Sequence, residues 1–110
     1  MTINFDQIYE DLKTGVSDVA EQSLQDYITG AKAAGQTALD GMKQNLQHWA
    51  QEVENGALTK DDLEFLLQEE ASLEELEVLK QSGVTEIRID EFRNAIINTI
   101  LGTLTGLIKI

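Results

Sequence analysis

Nine positions between Leu24 and Val53 constrain this chain more than any other feature. Leu24, Ile28, Ala31, Gly35, Leu39, Met42, Leu46, Trp49 or Ala50, and Val53 recur at helical spacing. At 100° per residue they fall within roughly 60° of one direction. A stripe of that length predicts a helix of about 30 residues, on the order of 45 Å long. The small residues Ala31, Ala34, Gly35 and Ala38 along it would let a second helix approach closely.

An earlier stripe precedes it. Phe5, Ile8, Tyr9, Leu12, Val16 and Val19 follow the same periodicity, with Asn4 as an N-cap and Asp6 in the first turn where the helix dipole favours an acid. Between Val19 and Leu24 the apolar direction swings by about a third of a turn. No proline or glycine stands at Ala20–Ser23, so the expectation is one continuous or gently kinked rod from Ser17 or earlier to Glu54. Gly15 lies off the stripe and is either tolerated or marks a break.

Asn55-Gly56 is the clearest stop, since glycine takes the left-handed dihedrals of a helix end at no steric cost. Thr59-x-x-Asp62 then reads as a capping box, followed by Leu63, Leu66 and Leu67. Ser72-x-x-Glu75 reads as a second one, followed by Leu73, Leu76 and Leu79. Either the helix bends between Lys60 and Gln81 or it breaks near Ala71. Ser82-Gly83 is the next turn. The alternation of Val84 to Ile89 resembles a strand, but no second run in the chain could pair with it. A helix starting at Thr85 or at an Asp90 cap is the better reading. Its face is Ile89, Phe92, Ile96, Ile100, Leu104 and Leu107.

This C-terminal segment, Ile89–Ile110, is the most apolar part of the chain and holds no acid from Phe92 onward. It is interrupted by Asn98, Thr99, Gly102, Thr103, Thr105 and Gly106, and from Ala95 to the end it falls short of the ~20 apolar residues a spanning helix needs. Gly102-x-x-x-Gly106 beside Thr99 and Thr103 suggests a closely packed flank.

Composition bounds the chemistry. Across 110 residues there are 20 acids and 8 Lys or Arg, a net charge of −12, with no cysteine and no proline. The sign repels phosphate backbones, which argues against nucleic-acid binding. Without cysteine there are neither disulfides nor thiolate metal sites. The missing proline favours helix throughout. An acidic N-terminus without a long apolar run does not read as a secretory leader, so a cytoplasmic protein is expected.

Four candidate sites fall to simpler readings. Gln51–Asp62 places Gly56 where a calcium loop needs one, but Val53 occupies a ligand position and cannot ligate. Ser72-Leu73 resembles the serine motif of acyl carrier proteins, yet Ala71 stands in place of their aspartate and capping explains Ser72. His48 is the only histidine and projects away from the apolar stripe. The acids from Asp61 to Glu77 read as a solvated face. Neither a cofactor, a metal nor a catalytic group is therefore expected.

These readings converge on an all-α protein, a single domain over residues 1–110. The expected architecture is a small antiparallel bundle of about four helices, with one long N-terminal helix and a buried apolar C-terminal one. The expected function is non-enzymatic interaction or assembly, with self-association or a protein partner. It would use a surface drawn from Trp49, Phe92, Ile96, Ile100, Leu104, Leu107, Gly102 and Gly106. The alternative is a membrane- or lipid-interacting protein using the C-terminal helix, which carries Arg93 and Lys109. A lesser alternative is an acidic inhibitor or antitoxin of a basic partner.

Overall fold

The structure, a computed structural model, describes residues 4–70 and 74–106. These residues form five α-helices and two 3₁₀ segments, with no strand among them. The all-α expectation is met. The long N-terminal rod is not.

Helix α1 (Phe5–Ser23) starts at Asn4, whose side-chain oxygen accepts a hydrogen bond from the Gln7 backbone N–H at 3.2 Å. It buries Phe5, Ile8, Tyr9, Leu12, Val16 and Ala20. At Leu24 the chain leaves the helix (φ −132°, ψ 60°) and passes through a 3₁₀ turn, Gln25–Tyr27, into α2 (Ile28–Gly41). Helix α2 runs back along α1. Tyr9 meets Asp40, Gln36 donates to the Lys13 carbonyl, and Lys32 pairs with Glu21, so low numbers on one helix face high numbers on the other.

The reversal occurs without a helix breaker because the two stripes point in different directions. A straight rod would expose both to water. Folding back sacrifices a few backbone hydrogen bonds, worth a net ~0.5–1.5 kcal/mol each. It removes Leu12, Val16, Leu24 and Leu39 from solvent completely, at roughly 1.5–3 kcal/mol for each large side chain. Burial wins. The expected continuous helix from Ser17 to Glu54 is therefore three helices, because a second one-residue interruption at Met42 separates α2 from α3 (Lys43–Glu54).

Gly56 ends α3's turn with φ +83°, as its sequence predicted. Helix α4 (Lys60–Glu70) opens on a reciprocal capping box. The Thr59 N–H donates to Asp62 at 3.1 Å, and the Asp62 N–H donates to the Thr59 hydroxyl at 3.2 Å. The second capping box, at Ser72, lies outside the described residues. The 3₁₀ segment Glu74–Ser82 follows, then Gly83 at φ +95°. Helix α5 (Glu86–Thr105) is capped by Thr85, whose hydroxyl accepts from the Arg88 N–H at 3.3 Å. Thr85, rather than Asp90, is thus the start, and the strand-like run from Val84 is helical from Glu86.

Helices α1, α2 and α5 meet at Gly35. A Cβ there would lie 2.7 Å from Val16 Cγ1 and 3.5 Å from Phe92 Cζ. Helix α5 runs antiparallel to α1: the Arg88 guanidinium reaches the Ser23 carbonyl at 3.5 Å, while Thr99 lies against Gly15. The molecule measures 45 × 24 × 22 Å. Among the described residues no polar or charged side chain is buried, and no helix is long and apolar enough to cross a membrane.

Candidate functional site

The residues expected to form an interaction surface mostly lie inside the chain. Phe92, Ile96, Ile100 and Leu104 are fully buried on α5, and Trp49 is buried on α3. Leu107 lies outside the described residues. Gly102 and Gly106 are exposed, and nothing lies within 4 Å of a Cβ placed on Gly102. The close flank of α5 runs instead through Thr99, whose Cγ2 would sit 2.6 Å from a Cβ on Gly15. Glycine alone does not draw a neighbour in. Gly15 became a contact because it lies on the α1 side that faces α5.

Among the described residues, the exposed large apolar side chains are Phe65 (64% exposed), Ile87 (72%), Val78 (50%) and Ile28 (36%). Sequence reasoning passed over Phe65, Val78 and Ile87. Each lies off the apolar stripe of its helix: Phe65 beside Leu63, Leu66 and Leu67, Val78 beside Leu76 and Leu79, and Ile87 ahead of Ile89. An apolar residue off its stripe was the available signal.

Val78 has a setting the others are not seen to share. It borders an open groove of about 540 Å³ between α2 and the 3₁₀ segment Glu74–Ser82. One wall is the outer face of α2, with Gly30, Ala33 and Thr37 at helical spacing. None of these reaches far from the backbone, and the Thr37 hydroxyl already donates to the Ala33 carbonyl at 3.0 Å. The opposite wall carries Glu75, Val78, Gln81 and Ser82. Buried Leu79 and Ala34 close the floor. Leu79 packs against α2 beside Gly30: its Cδ2 lies 3.7 Å from where a Cβ would stand, an ordinary van der Waals contact. Glu75 is the one charged residue of the lining and makes no ion pair among the described residues.

Behind the groove, the 3₁₀ segment is tied to α5 by charge. Lys80 reaches Glu77 and Glu86, each at 3.1 Å, and Arg93 reaches Glu77 at 3.4 Å and also pairs with Asp90. The Lys80 hydrogen bond, with lesser help from Glu86 and Arg93, holds the Glu77 carboxyl below the usual carboxylate range. Glu77 and Glu86 in turn raise the Lys80 ammonium above its ordinary value. Apart from part-buried Arg93 these side chains are largely in water, so the ties fix position more than they add stability.

A second polar tie lies across α1 and α2. The Tyr9 hydroxyl donates to Asp40, and Lys43 stands 4.7 Å from the Tyr9 ring centroid. Burial, then the bond to Asp40, pushes the phenol's ionisation upward, so it stays a neutral donor. His48 is exposed on α3, and among the described residues no group of His, Asp or Glu is placed to hold a metal ion.

The chain matches no family model, no curated protein and no solved structure.

Proposed function

We propose that this is a non-enzymatic helical interaction protein that binds a protein partner through the groove between α2 and the 3₁₀ segment. The groove carries the reading. It is mostly apolar, open to solvent, and framed by the short side chains of Gly30, Ala33 and Thr37 together with half-exposed Val78 and the polar Glu75, Gln81 and Ser82. Helices that present such a surface can accept the apolar face of another helix.

Self-association is the second reading. Phe65, Val78 and Ile87, the most exposed large apolar side chains among the described residues, support it. A lipid-binding role for α5 would require withdrawing Phe92, Ile96, Ile100 and Leu104 from complete burial, at roughly 1.5–3 kcal/mol for each. That weighs against it.

Site-specific photo-crosslinking in the native host tests the first reading. A benzoylphenylalanine at Ala33 is expected to capture a discrete partner band, and the same group at exposed His48 is not. Equal capture at both positions, or none at Ala33, rejects the groove as the interface. Sedimentation velocity tests the second: a concentration-dependent dimer lost on Val78→Asp would favour it.

A further inference from the structure

The groove has an apolar floor and a rim whose one charge is negative. We infer that its occupant is the apolar face of a basic amphipathic helix belonging to a partner protein, an inference that rests on the groove being the interface.

Shape supports a helix. From Gly30 to Thr37 the outer face of α2 advances seven positions, about 10 Å or two helical turns. That length accommodates the i, i+3 or i+4, and i+7 anchors of one docked helix. The wall has no long side chain to block it, and its Thr37 hydroxyl is already bonded within α2. The groove is open to solvent, so a small apolar molecule would keep one side in water. A helix would cover the opening and turn its own polar face outward.

Charge selects the sign of that polar face. Glu75 on the rim makes no ion pair among the described residues, whereas Glu77 on the same segment is held by Lys80 and Arg93. The whole chain carries −12. A second copy would bring the same charge to the contact, and an acidic helix would too. Lys and Arg flanking an apolar anchor row would instead gain Glu75 and the long-range field, which raises the association rate and makes it fall with salt.

Three synthetic peptides titrated against the full chain test this. The first carries Leu at i, i+3, i+7 and i+10 with Lys and Arg elsewhere. The second keeps the Leu row with Glu elsewhere. The third scrambles the first at equal charge. The first is expected to bind at least about tenfold more tightly than the other two. Ala33→Arg and, independently, Val78→Glu are each expected to weaken it by at least about tenfold, with circular dichroism confirming that the variants fold. Equal binding of the basic and acidic helices would overturn the partner's charge and leave the groove standing. Binding insensitive to both groove substitutions, or equal binding of the scrambled peptide, would overturn the groove itself. Displacement of the basic peptide by decanol alone, or a dimer abolished by Ala33→Arg, would assign the groove to a small apolar ligand or to a second copy and overturn the inference.

Discussion

Helix α2 presents two faces built from the same kind of residue, and they end up in opposite states. The inner face, Ala31, Gly35 and Ala38, is buried, and at Gly35 the neighbours stand so close that a methyl would strike Val16. The outer face, Gly30, Ala33 and Thr37, is equally small and remains open. Small residues permit close approach; they do not produce it. What produced it on the inner side was the apolar surface of the neighbours, with Leu12, Val16, Phe92 and Ile96 all seeking cover. On the outer side one short 3₁₀ segment covers part of the face, and Val78 and Ala33 are left in solvent.

Phenylalanine gives the sharpest test of covered against open. Phe92→Ala empties a fully buried site at the three-helix junction and is expected to lower unfolding stability by about 3–5 kcal/mol in urea. Phe65→Ala removes a side chain that is 64% exposed and is expected to change stability by no more than about 0.5 kcal/mol. Comparable losses would mean that Phe65 is covered in solution, as in a dimer.

The faces of α2 can be compared directly. Gly35→Ala forces a methyl to within 2.7 Å of Val16 Cγ1, and a destabilisation of about 1–3 kcal/mol is expected. Ala33→Leu on the open face should stay within about 0.5 kcal/mol of the parent. Thermal melts of the pair would erase the distinction if the two shifts coincided.

Two glycines repeat the contrast at smaller scale. Gly102→Ala adds a methyl with no atom within 4 Å and should stabilise by about 0.5–1 kcal/mol through restricted unfolded-state freedom. Gly15→Ala makes the same gain but meets Thr99 Cγ2 at 2.6 Å, so it should come out about 1 kcal/mol destabilised. A stabilised Gly15→Ala would show slack between α1 and α5.

The smallest effect lies in the exposed charge ties. Glu77 has a lowered carboxyl pKa, chiefly from the Lys80 hydrogen bond, so its contribution exists above the ordinary value of 4.5 and is lost as acid protonates it in the folded state. Lys80 is raised, so its contribution exists below 10.5 and is lost as the pH rises beyond. The stability difference between the parent and Glu77→Gln should therefore be largest near neutrality and shrink toward both extremes. A difference independent of pH would assign Glu77 a packing role rather than an ionic one.

The same logic explains what was legible beforehand. The caps at Asn4, Thr59 and Thr85 and the stops at Gly56 and Gly83 were readable because each is settled by a few neighbouring residues and their backbone hydrogen bonds. The buried face of α5 was readable from its spacing. The fold-back at Leu24 was not, since no residue there forbids a helix; only the three-dimensional match of two misaligned stripes makes the turn favourable. The surface expected from Phe92, Ile96, Ile100 and Leu104 became core for that reason, and the open groove beside Val78 joins residues about forty positions apart. The chain by itself determined that it would be helical, where α1, α4 and α5 begin and where α3 ends, and which side of each is apolar, because these depend on local geometry and periodicity. Which apolar side covers which, and which is left for a partner, was decided only by tertiary packing, where burial summed over many distant residues outweighs the preferences of any one segment.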